Sequence, residues 1–169
     1  MTNGVKKHIA FLGLGSNLGD RKGLIEGALS RLDQCEQVKV IACSGLYETR
    51  PAFVEEQPDF LNGCAKVETT LSAHELMDLL LATERELGRV RTIANGPRTI
   101  DLDLLFYDRA VIDEPRLKVP HLDLHNRLFV LAPLSELAME FIHPLLEVSV
   151  GELYSQLLKR EEERGGDET

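Results

Sequence analysis

The sequence predicts an α+β fold, an antiparallel β-sheet with helices packed on its faces, and three observations carry it. Short runs rich in β-branched and aromatic residues alternate with stretches whose apolar residues recur at helical spacing. Two early strand-like runs follow one another with no helix between them. Two helical stretches open on S-x-x-E, the pattern in which a serine and a glutamate cap a helix reciprocally.

The elements follow in order. HIAFLGL, residues 8–14, reads as a buried strand, and the glycine-rich turn GSNLGD comes after it. Asp20 is placed to cap a helix to about Gln34, with Leu24, Ile25, Ala28, Leu29 and Leu32 on one face. Residues 37–48 read as a second strand, 49–58 as a proline-containing loop, and 59–69 as a third strand. Alternation in that third strand puts Leu61, Ala65 and Val67 on one side and Phe60, Asn62 and Cys64 on the other. Ser72 and Glu75 open a helix to about Leu87, and Gly88 suits the position just past its end. Residues 88–98 read as a loop and 99–107 as the next strand. A turn near Asp113–Pro115, a short extended segment, a helix from about Asn126 containing Pro133, and a last helix from Ser149 complete the chain. The first six elements run β-α-β-β-α-β, the ferredoxin-like plan, which puts its helices on one face of an antiparallel sheet. A chain of 169 residues fits one domain, here residues 1–160, with a charged tail over 161–169 that frays.

Composition narrows the function. The formal charge of −9 disfavours nucleic acid and anionic lipid as partners, so an anionic substrate needs a local basic patch or a metal. Cys35, Cys43 and Cys64 are odd in number and form no C-x-x-C, which argues against a disulfide framework and a zinc knuckle and for a cytoplasmic protein. No apolar run reaches the ~20 residues of a membrane span. No obligate protein partner is evident.

Five stretches carry chemistry. In GPRTIDLDLLFYD, Asp101 and Asp103 sit two apart in a strand, so both carboxylates share one face, about 7 Å apart. Such a pair suits Mg²⁺, which takes one or two carboxylates and fills its other positions with phosphate and water; it equally suits a strand with a polar outer face. Residues 85–98 hold Arg85, Arg89, Arg91 and Arg98 against the single acid Glu86, a basic island in an acidic chain. Arginine forks match phosphate oxygens bidentately, while a solvated loop is the plainer account. His121 and Arg127 in VPHLDLHNRLF follow the D-x-D strand and can join a phosphate site. GLGSNLGD suits either close approach to a phosphate or a tight turn, and matches no nucleotide fingerprint. Phe60, Asn62 and Phe129 suit a flat heterocycle, held between rings and read by an amide, or plain core packing.

Together, LGLGSNLGDR, YETRP with QPDFLN, E-x-x-x-GRVR, GPRTIDLDLL and VPHLDLHNRLFVLAPLSELA resemble the 6-hydroxymethyl-7,8-dihydropterin pyrophosphokinase family over residues 9 to about 145. The resemblance implies a ferredoxin-like fold and transfer of pyrophosphate from ATP to a pterin alcohol in folate synthesis, with two Mg²⁺ ions. It implies that Asp101 and Asp103 hold the metals and that Arg89, Arg91 and Arg98 meet the triphosphate from a mobile loop. It places Glu84, Arg116, His121 and Arg127 near the nucleotide, and Thr49, Pro51, Ala52, Phe60, Asn62 and Phe129 in the pterin pocket. The glycine-rich turn would mainly support the site. Asn95 stands where relatives often carry tryptophan, and Ala52 is small where a larger apolar residue can occur. The competing readings are a two-metal nucleotide hydrolase and a non-catalytic nucleotide-binding module.

Overall fold

A computed structural model describes residues 5–50, 57–88 and 99–166. The strands are β1 (His8–Ser16), β2 (Val38–Cys43), β3 (Tyr47–Thr49), β4 (Phe60–Thr69), β5 (Asp101–Tyr107), β6 (Ile112–Glu114) and β7 (Leu117–Val119). The helices are α1 (Arg21–Asp33), α2 (Ala73–Glu86), α3 (Leu128–Ala138) and α4 (Val150–Gly166), with a 3₁₀ turn at Leu124–Asn126. The main sheet runs β2-β4-β1-β5, all antiparallel, with β3 also on β4, so the ferredoxin-like order holds. The hairpin β6-β7 stands apart.

The predicted caps form. Asp20 accepts the Gly23 amide at the start of α1, and Ser72 and Glu75 close a reciprocal box on α2. Gly88 takes φ +87°, the left-handed turn that ends α2 without a Cβ clash. Alternation along β1 then divides two apolar layers. Ala10, Leu12 and Leu14 pack with Ile25, Ala28 and Leu32 of α1 and with Leu76 and Leu80 of α2. Phe11 turns the other way and joins Phe106, Leu131 and Leu134 of α3, and Val150, Leu153 and Leu157 of α4. Helices therefore cover both faces: α1 and α2 are those of the βαββαβ plan, and α3 and α4 add a second layer.

Three details differ from the sequence expectations. The predicted strand over 37–48 is two strands, interrupted at residues 44–46. A Cβ on the opposing Gly63 would lie 2.8 Å from Leu46 Cδ2, so that glycine makes room for the Leu46 side chain. Both pieces still pair with β4, and Ser44 Oγ accepts the Cys64 amide between them. β1 runs on through Gly15 and Ser16, so the turn that follows begins only at Asn17. α4 runs on through Gly166, into the stretch that the sequence reads as a charged tail.

Candidate active site

A cleft opens on the α3 side of the sheet, about 720 Å³ including its mouth. Its lining includes Gly13 and Gly15 of β1, Thr49, Arg50, Gln57, Phe60 and Asn62, Asp101 and Asp103 of β5, and Arg127 and Phe129. The floor follows from register. Gly15 lies between Asn62 of β4 and Asp101 of β5, and Gly13 lies between Cys64 and Asp103. A Cβ at Gly15 would meet Asn62 Oδ1 at 3.0 Å. The two glycines thus leave the central strand bare where its neighbours carry an amide and two carboxylates. They act as cleft floor, in regular strand, and not as a phosphate-cradling turn.

Asp101 and Asp103 line the cleft together, as the two-residue spacing predicts, with Leu102 and Leu104 in the opposite apolar layer. Behind them Glu84 of α2 is 3% exposed, and its carboxylate accepts the Leu102 amide at 2.7 Å. Glu84, expected near the nucleotide, therefore also ties α2 to β5 at the residue between the two aspartates.

Asn62 donates to Thr49 Oγ1 at 2.5 Å, which leaves its Oδ1 against Gly15. Phe60 and Phe129 both line the cleft instead of being sealed in the core, and the Arg127 guanidinium lies 5.6 Å from the Phe129 ring centre. Arg127 also pairs with Asp123 at 3.8 Å. His121 is half-buried after β7 and outside the cleft lining. Burial, and then the Arg127 charge, push its pKa below the usual imidazole value, while Asp101 and Asp123 pull the other way. Its ring lies within the electrostatic reach of Asp101. Arg116 is exposed at the β6-β7 turn and does not reach the cleft lining. Arg89, Arg91, Arg98, Pro51 and Ala52 lie outside the described residues.

Sequence reasoning missed Gly13 and Gly15 as floor and Arg50 and Gln57 as wall. The glycines carry a signal, since they share strand parity and face the D-x-D register; the two wall residues lie in loop sequence that has no period to read. No group of three or more metal-ligating side chains occurs among the described residues. Two hard carboxylates beside a floor without side chains nonetheless fit Mg²⁺, which draws its remaining oxygens from phosphate and water.

The fold and cleft define a small ferredoxin-like α+β protein with a two-carboxylate floor and a wall suited to a flat heterocycle. The family model for 7,8-dihydro-6-hydroxymethylpterin-pyrophosphokinase (HPPK) matches residues 11–139, and the chain belongs to that family. It is 44% identical over 133 residues to the 2-amino-4-hydroxy-6-hydroxymethyldihydropteridine pyrophosphokinase of Bacillus subtilis, covering 79% of this chain and 80% of that protein. The protein of the same name from Haemophilus influenzae is 40% identical, covering 87% of this chain and 91% of that one. The folic acid synthesis protein fol1 of Schizosaccharomyces pombe is 42% identical over 90% of this chain, but the match spans only 21% of its length. Among solved structures, the Plasmodium falciparum HPPK-DHPS with pteroate superposes with a TM-score of 0.78 at 17% identity, covering 98% of this chain and 45% of that one. That likeness supports the fold.

Proposed function

We propose that this chain transfers the pyrophosphoryl group of ATP to the hydroxyl of 6-hydroxymethyl-7,8-dihydropterin, in folate synthesis. One observation carries the reading within the family: the two carboxylates and the aromatic-amide wall share a single cleft. A flat ring held by Phe60, Phe129 and Asn62 presents its hydroxymethyl arm toward a triphosphate bound over Asp101 and Asp103. The pterin oxygen forms a bond to the β-phosphorus, the bond from that phosphorus to the α-β bridging oxygen breaks, and AMP leaves with that oxygen. The hydroxyl proton passes to solvent.

Asp101 and Asp103 are the residues to hold two Mg²⁺ ions, which when bound neutralise phosphate charge and ease deprotonation of the attacking hydroxyl. Arg127 and, by resemblance, Arg89, Arg91 and Arg98 supply fixed positive charge to the same phosphates. By resemblance alone, Arg116 and His121 belong to the nucleotide side, although neither is part of the cleft lining. Asn62 Nδ2 donates to Thr49 Oγ1, which holds the Asn62 side chain at the cleft before a ring arrives. Pro51 and Ala52 belong to the pterin side by resemblance alone. Positioning and electrostatics, not a general base, carry the rate. The cytosol is the compartment this chemistry and the unbridged cysteines suit.

The test mixes the purified chain with Mg²⁺, ATP and 6-hydroxymethyl-7,8-dihydropterin and resolves AMP from ADP. Pterin-dependent AMP is expected. ADP would mean hydrolase or ordinary kinase chemistry, and no nucleotide product would mean a binding module.

A further inference from the structure

We propose that Asn17 is a positioning residue for the heterocycle side of the cleft, acting through Gln57 and the Pro58 carbonyl; this rests on the pterin reading above. Asn17 is 1% exposed and follows the last residue of β1. Its Nδ2 donates to Gln57 Oε1 at 2.8 Å and to the Pro58 carbonyl at 2.9 Å. A carbonyl can only accept, so the Pro58 bond fixes which end of the Asn17 amide faces the loop. The Asn17 donor in turn fixes which end of Gln57 faces Asn17, and Gln57 lines the cleft. Four residues on, Arg21 Nη1 donates to the Asp59 carbonyl at 3.0 Å and pairs with Glu48 of β3 at 2.8 Å. Two consecutive carbonyls just before β4 are thus held from the turn between β1 and α1, one of them by a buried side chain. Phe60, the next residue, is the ring on that wall.

The function of SNLGDR is therefore to clamp the 57–59 segment, so that Gln57, Phe60 and, through β3, Thr49 face the cleft in one arrangement. The hydrogen bonds and ion pair of this clamp run to the 57–59 segment and to β3. Its loss is expected to fall on the pterin and to spare the nucleotide.

The test compares wild type with Asn17→Ala and with Asn17→Asp, which keeps the shape and loses both donors. The readouts are the KM for 6-hydroxymethyl-7,8-dihydropterin, kcat at saturating pterin, and the Kd of a Mg²⁺-bound non-hydrolysable ATP analogue. Both variants are expected to raise the pterin KM at least tenfold, with kcat and analogue Kd within about threefold of wild type. Gln57→Ala is expected to raise the pterin KM as well, and the Asn17→Ala/Gln57→Ala double variant to be little worse than Asn17→Ala alone. If neither Asn17 variant folds, Gln57→Ala decides by itself, and an unchanged pterin KM overturns the proposal. An unchanged pterin KM in a folded Asn17 variant, or equal losses for pterin and nucleotide, overturns it too. Wild type that neither binds nor turns over the pterin removes the functional reading and this proposal together, whereas active wild type with unaltered variants removes this proposal alone.

Discussion

Asp101 and Asp103 reach the same cleft because side chains two apart in a strand share a face, and the glycines opposite them leave that face uncovered. Replacing either with asparagine keeps the volume and removes the charge. Turnover is expected to fall by at least about 10²–10³-fold, the scale on which loss of one preorganised charge-stabilising group is felt. Steady-state kinetics beside a thermal melt would check this; near-wild-type rates would remove the metal assignment. Glu84 is bonded into the same strand. Its carboxylate satisfies the Leu102 amide inside the protein, so Glu84→Ala leaves a buried donor unpaired. The expected cost is about 1–3 kcal/mol in denaturant unfolding, and Glu84→Gln, which keeps an acceptor, is expected to recover most of it. The aspartates were legible in the sequence because their signal is a period of two. Gln57 and Arg50 were not, because a loop has no period and their place is set by partners distant in sequence. Glu84 was legible only by resemblance; its bond to the strand between the aspartates appears only once α2 and β5 are packed.

Elements were legible where local signals agreed with the fold. The caps at Asp20 and Ser72 and the apolar faces of α1 and α2 are read from neighbours within a few residues. The split of β2 from β3 was not, since it depends on Gly63 of another strand. The second helical layer was visible as two helices, but its position across the sheet depends on Phe11 and Phe106, which the pattern of β1 and β5 alone does not rank above their neighbours. The connection from α3 to α4 carries a pH dependence. His143 is 3% exposed, and its Nδ1 accepts the amides of Leu145 and Leu146, each at 3.1 Å. Burial, and then the charge of His125, lower its pKa from the usual imidazole value. The unfolded chain therefore takes up this proton more readily than the folded one. Stability is full above the unfolded value of about 6.5 and declines as pH falls from there toward the lowered folded value. His121 contributes in the same direction. Unfolding free energy measured from pH 7.5 to 5 is expected to fall, and His143→Gln to flatten that slope. An identical slope in the variant would mean that other groups carry it.

At the scale of the whole molecule, the cleft is assembled from parts that meet only in the folded chain: β1 and β5 give its floor, β3 and β4 one wall, and Phe129 and Val130 of α3 the other. A ligand filling it bridges the sheet and the α3–α4 layer, so binding opposes separation of the two. With formal charge −9 the chain as a whole repels a polyphosphate, and only local positive charge, from side chains or a bound metal, can reverse that. Mg²⁺ is therefore expected to be needed before a non-hydrolysable ATP analogue stabilises the fold. At about 100 times its Kd, such a ligand adds about 2.7 kcal/mol. For a chain of this size that corresponds to a melting temperature about 5–11 °C higher. If pterin and nucleotide bind side by side in this cleft, as proposed, and each helps to order it, each is expected to tighten the other, and the coupling must be reciprocal. Melting curves with the Mg²⁺-analogue, with 6-hydroxymethyl-7,8-dihydropterin, and with both are expected to show a pterin shift that grows when the analogue is present. A shift with the Mg²⁺-analogue that pterin never enlarges would keep the carboxylate floor as a nucleotide site and reject the aromatic wall as the place of the second substrate.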